Sequence, residues 1–198
     1  MASGNAGKLR EIARILGGLN ITVVPQSDFG VSDAEETGST FVENALIKAR
    51  HAANVTGLAA IADDSGLAVD VLDGRPGVYS ARYSGPDANA DSNIDRLLRE
   101  LDGVPDGQRG AAFRCAACFV MPGKSAPLLA EGEWRGLILR ERQGAGGFGY
   151  DPVFLDPELG RSAAQLSACE KDAQSHRSQA LHELARQLFE LECQPTQS

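Results

Sequence analysis

The stretch Leu58-Ala-Ala-Ile-Ala-Asp-Asp-Ser-Gly-Leu-Ala-Val-Asp-Val-Leu72 carries the clearest structural pattern in the chain. An apolar run ends at Ala62, four polar or small residues follow, and apolar residues then alternate with others as far as Leu72. Short apolar and alternating runs are typical of β-strands, whereas a polar segment with glycine is typical of a turn. The stretch therefore predicts two strands around a polar turn, with Asp63 and Asp64 at the mouth of the hairpin.

Helical and strand patterns alternate on both sides of this stretch. Apolar residues three and four apart predict helices at about 7–18, 40–54, 94–101 and 181–188, and further strands are predicted at 21–24, 111–120 and 128–139. The second helix opens with a capping box from Thr40 to Glu43. Residues 143–150, with four glycines, are predicted to be a loop, and residues 192–198 a frayed end. This alternation indicates an α/β or α+β fold with a mixed sheet.

Length and charge limit the classes of function. The 198 residues are enough for one domain or two tightly joined lobes, and 42% hydrophobic residues are enough for a core. A net charge of −8 argues against a nucleic-acid or anionic membrane surface. The sequence shows no apolar run long enough for a membrane span and no secretory signal. A small phosphorylated ligand stays possible, because a local basic pocket or a bound cation can make the electrostatic potential at a site positive despite the negative net charge.

The four cysteines, Cys115, Cys118, Cys169 and Cys193, are sparse and predict a reduced, cytoplasmic protein. Cys115 and Cys118 have the spacing of half a redox or zinc site. However, they fall in a predicted strand, where residues three apart point to opposite faces. No second cysteine or histidine pair completes the site, so we interpret both as ordinary strand residues.

The segment Ser3-Gly-Asn-Ala-Gly-Lys8 directly precedes the first predicted helix. Its glycines allow close approach of the backbone, and a helix N-terminus offers unpaired N–H groups to an anion. Lys8 adds a positive charge where a helix ordinarily favours an acid. The segment is not a Walker A loop, because Leu9 stands where Ser or Thr is required. A plain glycine turn that caps a helix is the alternative interpretation.

Two acidic pairs, Glu35-Glu36 and Asp63-Asp64, stand beside small or polar residues. Burial of the second pair would force like charges together unless a cation neutralised them. Mg²⁺ suits such a site, since it takes one or two carboxylates and completes its octahedron with water and phosphate oxygens. Solvated acids in a surface turn are the alternative.

Two further clusters interrupt the apolar pattern. Gly146-Gly-Phe-Gly-Tyr-Asp151 places aromatic rings, which can stack on a base, in a glycine loop. The alternative is a turn with core aromatics. Near the last helix, Lys171, His176 and Arg177 form a basic helix start, with Ser175 as the N-cap, and such a start favours a negative ligand. Together the four clusters predict a site for a nucleotide polyphosphate.

At these same residues the chain resembles the inosine triphosphate pyrophosphatase family, also described as non-standard purine NTP pyrophosphatases. Six motifs in order carry the resemblance over nearly the whole chain: Ser3-Gly-Asn-Ala-Gly-Lys8, Glu35-Glu-Thr-Gly38 with Thr40-Phe-Val-Glu-Asn-Ala45, Ala62-Asp-Asp-Ser-Gly-Leu67, Pro76-Gly-Val-Tyr-Ser-Ala-Arg-Tyr83, Gly147-Phe-Gly-Tyr-Asp-Pro152, and Glu170-Lys171 with Ser175-His-Arg177. In place of the family's first apolar strand of about five residues stands Met1-Ala2.

The resemblance implies an elongated two-lobed α/β fold in a single domain over residues 1–198, with a central mixed sheet, flanking helices and an active-site cleft between the lobes. It also implies a homodimer that hydrolyses ITP, dITP and XTP to the monophosphate and pyrophosphate with Mg²⁺ as cofactor. Asp64 matches the catalytic proton acceptor, and Glu35 and Asp64 match the metal ligands. The implied substrate-binding residues are Ser3, Gly4, Asn5, Ala6, Gly7, Lys8, Lys48, Ser65, Phe148, Gly149, Tyr150, Asp151, Lys171, His176 and Arg177.

Within this set, Lys8, Lys48 and Lys171 are expected to hold the triphosphate, and residues 148–151 with His176 and Arg177 to frame the base. Two alternatives remain open. One is a related nucleotide pyrophosphatase with a Maf-like preference for modified pyrimidines. The other is a nucleotide-sensing module without catalysis, against which the intact Asp63-Asp64-Ser65 segment argues.

Overall fold

A computed structural model describes residues 1–2, 5–18, 21–123 and 126–193. Within these ranges the chain forms five α-helices and five β-strands. The helices are α1 (Ala6–Gly18), α2 (Phe41–Thr56), α3 (Ala90–Glu100), α4 (Ala168–Gln174) and α5 (His176–Cys193). The strands are β1 (Ala60–Val69), β2 (Gly110–Val120), β3 (Leu128–Ile138), β4 (Phe154–Asp156) and β5 (Arg161–Ser162).

The stretch around Asp63-Asp64 forms one strand, so the predicted hairpin is wrong. β1 continues through all four residues from Asp63 to Gly66, and Gly66 keeps an ordinary φ. A polar segment can remain extended inside a sheet when its side chains find partners on the two faces. Asp63 and Asp64 have such partners on helices remote in sequence, which the local pattern does not reveal.

The described strands form one sheet in the order β1-β2-β3-β4-β5. β3 pairs with β4 and β4 with β5 in antiparallel registers, with Leu137 opposite Leu155 and Leu155 opposite Ser162. Along the chain, α1 and α2 precede β1, α3 lies between β1 and β2, and α4 and α5 follow β5. The predicted α/β class, with a central sheet and flanking helices, is confirmed.

Residues 21–24, which were predicted to form a strand, are irregular, so that prediction is wrong. The α-ammonium of Met1 donates to the carbonyl of Val24, and the amide of Gln26 donates to the carbonyl of Met1. The amide of Ala2 donates to Ile61 on β1. Val24 and Gln26 are thus hydrogen-bonded to Met1 without forming a regular ladder.

The chain divides into two compact units, and three strands contribute residues to both. The first unit comprises residues 1–64, 115–132 and 176–198. On one face of its sheet α2 packs through Ala45, Ala49 and Ala52. On the other face α1 and α5 pack through side chains such as Ile12 and Leu181. The capping box of α2 is present as predicted, since Thr40 accepts from the amide of Glu43 and Glu43 accepts from the amide of Thr40.

Cys115 and Cys118 of β2 belong to these two different cores, Cys115 with α1 and α5 and Cys118 with α2. Burial raises the pKa of each thiol to about 12. Both are free thiols. The interpretation of the pair as ordinary strand residues that point to opposite faces is confirmed.

The second unit comprises residues 65–114 and 133–175. Its core combines α3, through Ile94 and Leu97, with three aromatic rings on the strands. The centroid of Phe154 lies 4.4 Å from that of Phe113 and 5.0 Å from that of Trp134. The short strand β4 is thus held in the core by packing of its Phe154 ring against the other two rings.

The bounds of α1 and α2 agree with the prediction within two residues, whereas α3 begins four residues earlier and α5 extends five residues further at each end. α4 and α5 are separate helices that meet at Ser175, so the basic residues predicted at one helix start are distributed over two helices. Of the predicted frayed end, residues 194–198 lie outside the described residues. In the described part of the chain, no helix combines the length and apolarity that crossing a bilayer requires.

Gly132 of β3 allows the start of α5 to lie against the sheet. A Cβ at this position would come within 2.0 Å of the carbonyl oxygen of His176 and 2.9 Å of the amide nitrogen of Ala180. We expect Gly132→Ala to lower the free energy of unfolding by about 1–3 kcal/mol, as overpacking of a close contact does. Urea denaturation measures this. Gly107→Ala is the matched control, because a Cβ there meets nothing within 4 Å; equal losses for the two variants would refute the role of Gly132.

Candidate active site

Asp63 and Asp64 face opposite sides of the sheet, because neighbouring residues of a strand alternate. Asp63 faces α1 and α5, and Asp64 faces α2, as their partners show. The sequence pattern suggested a single cation that neutralises both carboxylates. In the structure, the two carboxylates instead bind different basic side chains. Each has its own cationic partners within the first unit. We call these seven side chains the charge cluster: Lys8, Glu11, Glu36, Lys48, Asp63, Asp64 and Arg177.

Asp63 is completely buried between two cations. Its Oδ2 lies 3.3 Å from Nζ of Lys8 and 3.2 Å from Nε of Arg177. Burial alone would raise the pKa of Asp63, but Lys8 and Arg177 outweigh it and hold the pKa well below its ordinary value. Arg177 also donates through Nη1 to Glu11 of α1. Asp63 is thus an ionised anchor that ties β1 to the first turn of α1 and the first turn of α5.

Lys8 lies in the first turn of α1, which begins at Ala6. The side chain of Asn5 caps this helix, since its Oδ1 accepts from the amides of Gly7 at 2.9 Å and Lys8 at 3.1 Å. These two amides therefore have a partner within the chain, as the ammonium of Lys8 has in Asp63. Ser3 and Gly4, also predicted to bind substrate, lie outside the described residues.

Asp64 is held from α2. Its Oδ1 lies 2.9 Å from Nζ of Lys48, and its Oδ2 accepts from Nδ2 of Asn44 at 3.2 Å. Burial raises the pKa of the Asp64 carboxyl above its ordinary value, although Lys48 and Lys8 act against this. A carboxyl whose pKa is raised in this way is a better proton acceptor than an exposed aspartate.

Lys48 also binds Glu36, at 2.8 Å from Nζ to Oε1. Glu35, the predicted metal ligand, is exposed and makes no hydrogen bond or ion pair with another described residue. The structure therefore adds Glu36 to the cluster, and the role of Glu35 stays a prediction. Asp64 and Glu36 both lie within 3 Å of Nζ of Lys48, and carboxylates are the ligands that hard cations take. The described residues hold no group of three His, Cys, Asp or Glu side chains placed for a metal ion, so a divalent cation here would take its other ligands from water and phosphate.

A second set of predicted residues lies in the second unit, in the loop Gly146-Gly-Phe-Gly-Tyr-Asp151, which we call the aromatic loop. Asp151 is buried, and its Oδ2 accepts from the amide of Phe148 at 2.8 Å and from Nζ of Lys171 at 2.7 Å. The same ammonium lies 4.7 Å from the centroid of the Phe148 ring. A Cβ on Gly147 would come within 2.0 Å of that carboxylate. The loop is therefore closed around Asp151 and requires glycine there.

The two rings of the aromatic loop differ in accessibility. Tyr150 is 5% exposed, belongs to the core of the second unit and donates to the carbonyl of Ser80 at 2.9 Å. Phe148 is partly exposed and is the ring of the loop that can stack on a ligand. A stacking surface built from both rings, as the sequence suggested, is wrong because Tyr150 is used in packing. Gly149 has a positive φ of 61°, which favours glycine between the two rings.

The basic residues near α5 are buried, and the negative partners of Lys171 and Arg177 are carboxylates of the chain. Lys171 lies within α4 and binds Asp151 in the second unit, whereas His176 and Arg177 begin α5 in the first unit. Arg177 is 1% exposed and His176 is 4% exposed. Ser65, the first residue of the second unit, is half-buried in β1.

The contacts of three residues in this arrangement were not predicted from the sequence: those of Glu11, Glu36 and Asn44. Helical spacing could have revealed two of them. Glu11 follows Lys8 by three residues on α1, and Asn44 precedes Lys48 by four on α2, so each shares a helix face with a predicted residue. Glu36 was identified as one of an acidic pair, but nothing local shows that it contacts Lys48.

Known proteins resemble this chain over nearly its full length. The sequence profile described as the Ham1 family matches residues 1–187. The chain belongs to the Ham1 family. The dITP/XTP pyrophosphatase of Methylococcus capsulatus is 57% identical over 189 residues, which cover 95% of this chain and 94% of that protein. The dITP/XTP pyrophosphatase of Escherichia coli K12 is 55% identical over 182 residues, which cover 91% and 92%.

The Ham1 protein of Coxiella burnetii shares the fold. Its structure superposes with a TM-score of 0.87 at 49% sequence identity, covering 96% of each chain. The resemblance noted in the motifs is thereby confirmed at the level of family and fold.

Arg177→Met tests the buried ion pairs of Arg177 with Glu11 and Asp63, since the variant leaves both carboxylates without the guanidinium that they share. Removal of one partner from a buried ion pair costs about 3–5 kcal/mol, and we expect a loss of that size in the free energy of unfolding at neutral pH. Arg177 helps to lower the pKa of Asp63, so its contribution is present above the ordinary carboxyl pKa of about 4 and is lost as the pH falls below it. Urea denaturation across this pH range measures both effects.

Arg186→Met is the matched control on the same helix. Arg186 also binds two carboxylates, Glu183 and Glu190, but on the surface. Solvent screens such pairs, so we expect a free energy of unfolding close to that of the unmodified chain. If both variants lost the same stability, burial would not be what makes Arg177 important.

Proposed function

We propose that this Ham1 chain hydrolyses ITP, dITP and XTP to the nucleoside monophosphate and pyrophosphate, and so removes deaminated purines from the nucleotide pool. The observation that carries the proposal is the charge cluster, in which the buried carboxylate of Asp64 lies 2.9 Å from Nζ of Lys48, a cation suited to phosphate. Relatives named dITP/XTP pyrophosphatases, at 55–57% identity over more than nine-tenths of the chain, support the substrate class.

The cofactor that we propose is Mg²⁺, held by Glu35 and Asp64. When bound, it supplies positive charge for the phosphate oxygens and an acidified water. Asp64 accepts a proton from the water whose oxygen forms the new bond to the α-phosphorus, and the bond from this phosphorus to the bridging oxygen breaks. Lys8 and Lys48 stabilise the charge on the leaving pyrophosphate. Glu36, through Lys48, keeps the ammonium beside Asp64.

The base is proposed to bind at the aromatic loop, with Phe148 as the stacking ring. Lys171 contacts Asp151 and lies over Phe148, which supports a role in ordering this loop. Its contact with the triphosphate, like those of Ser65, His176 and Arg177 with substrate, remains a prediction. The resemblance also leads us to propose a homodimer, which light scattering on the purified protein would test.

A comparison of purine nucleoside triphosphates as substrates tests the proposed function directly. A pocket that donates hydrogen bonds to a 6-oxo group meets an amino donor in ATP, and each buried group left unpaired costs roughly 1–3 kcal/mol. We expect kcat/KM for ITP and XTP to exceed that for ATP by up to ~10⁴-fold, with GTP between them because its 2-amino group is also a donor. Pyrophosphate release at fixed Mg²⁺ measures this. Hydrolysis of ATP within tenfold of ITP would exclude purine sanitation, and faster hydrolysis of modified pyrimidine triphosphates would favour the Maf-like alternative.

Asp64→Asn should reduce kcat at least 100-fold while nucleotide binding persists, because the amide cannot accept the proton. Steady-state kinetics and calorimetry with IMP measure the two effects. Asp70→Asn is the control, since Asp70 follows the same strand but is exposed; its kcat should equal that of the unmodified protein. Turnover of the Asp64 variant within threefold would remove Asp64 from the mechanism. A chain that binds ITP but never releases pyrophosphate would instead be a nucleotide-sensing module.

A further inference from the structure

Asn44 of α2 is a fully buried polar residue to which the reaction above gives no part. Its exposed fraction is 0%. Its Nδ2 donates to Oδ2 of Asp64 at 3.2 Å, and its Oδ1 accepts from the amide of Gly38 at 2.8 Å. A carboxylate can accept only and a backbone amide can donate only, so the two partners fix the orientation of the side-chain amide.

Gly38 is the end of the segment Glu35-Glu-Thr-Gly38, which we call the acidic segment. A Cβ at Gly38 would come within 2.7 Å of Oδ1 of Asn44 and 2.7 Å of Cβ of Glu43. The acidic segment therefore packs against the first turn of α2 so closely that a larger residue would displace it. The side chains of Asn44 and Glu43 both contact it there.

The first turn of α2 is itself held by side-chain hydrogen bonds. Oε2 of Glu43 accepts from the amide of Ser39 at 2.7 Å and from that of Thr40 at 3.2 Å, which completes the capping box. Asn44 follows directly, and Lys48 lies one turn further along the same face. Both side chains bridge the acidic segment and Asp64, Asn44 through Gly38 and Lys48 through Glu36.

The two bridges differ in charge. Lys48 is a cation that neutralises part of the carboxylate charge, and phosphate is an alternative partner for it. Asn44 is neutral, so it orients Asp64 and leaves the negative charge of the carboxylate for a metal ion. A buried hydrogen-bonded amide of this kind is costly to remove, because both partners would be left unsatisfied.

We infer that Asn44 is a positioning residue that joins the acidic segment to Asp64 and so arranges both for a divalent cation before the nucleotide binds. The inference rests on the proposed function for its meaning in the reaction. The arrangement itself is a property of the free protein and is measurable without turnover.

Two substitutions separate the contacts of Asn44. Asn44→Leu has nearly the same size and removes both hydrogen bonds. Asn44→Asp keeps an acceptor for the amide of Gly38 and removes the amide donor to Asp64. Asn93→Leu is the matched control, because Asn93 is also a buried helical asparagine, but its partners are the backbone groups of Ser80, Ala81 and Ser84.

Mn²⁺ binding to the nucleotide-free full chain is the first measurement, by calorimetry, with hydrogen exchange of the Gly38 amide recorded in parallel. Asn44→Leu should weaken Mn²⁺ binding at least tenfold and speed exchange at Gly38 at least tenfold. Asn93→Leu should lose stability with a Mn²⁺ affinity within twofold of the unmodified chain. An affinity of Asn44→Leu within threefold of the unmodified chain, or no Mn²⁺ binding by the unmodified chain, would overturn the inference.

Asn44→Asp decides the matter where the leucine variant does not fold. Its Gly38 amide should stay protected, whereas kcat for ITP should fall at least tenfold with KM within threefold, because orientation of Asp64 is lost and the lysines still bind phosphate. An unchanged kcat would overturn the inference. If the unmodified chain released no pyrophosphate from any purine triphosphate, the proposed function would fail instead, and the Mn²⁺ titration would still decide the role of Asn44.

Discussion

The alternation of side chains along β1 is the constraint on which the rest of the site depends. Because Asp63 and Asp64 are neighbours in a continuous strand, one must face α1 and α5 and the other α2. This separates two tasks that a single carboxylate could not combine. Asp63 forms ion pairs with Lys8 and Arg177 and stays ionised. Asp64 has one lysine and one neutral amide as hydrogen-bond partners, and its pKa is raised, as suits a proton acceptor.

The elements that the sequence predicted correctly are those whose causes are local. The capping box of α2 involves residues three apart, and the opposite orientation of Cys115 and Cys118 follows from the period of a strand. The hairpin around Asp63-Asp64 was wrong because the polar residues are stabilised by Lys8, Lys48 and Arg177, which arrive from other parts of the chain. A local pattern records that a segment is polar, but it does not record which cations will meet it.

The same distinction explains the outcome at the candidate site. The basic residues were predicted to bind substrate because cations at a helix start are unfavourable without an anion. The anions in the structure are carboxylates of the chain itself, Asp63 and Glu11 for Arg177 and Asp151 for Lys171. A cation in an unexpected place thus predicts a negative partner, and sequence alone does not distinguish an internal partner from a ligand. Tyr150 and Phe148 present the same ambiguity, which burial resolves in favour of Phe148.

The balance of charge in the cluster gives a physical reason for a metal ion. Among the described residues of the cluster, three cations, Lys8, Lys48 and Arg177, face four carboxylates, Glu11, Glu36, Asp63 and Asp64. Such a cluster does not attract a polyanion by itself, and the net charge of −8 on the whole chain adds to the repulsion. A bound divalent cation becomes the largest local charge and reverses the sign of the site. In the proposed mechanism, the carboxylates beside Lys48 would recruit that cation and so make the site favourable for a triphosphate.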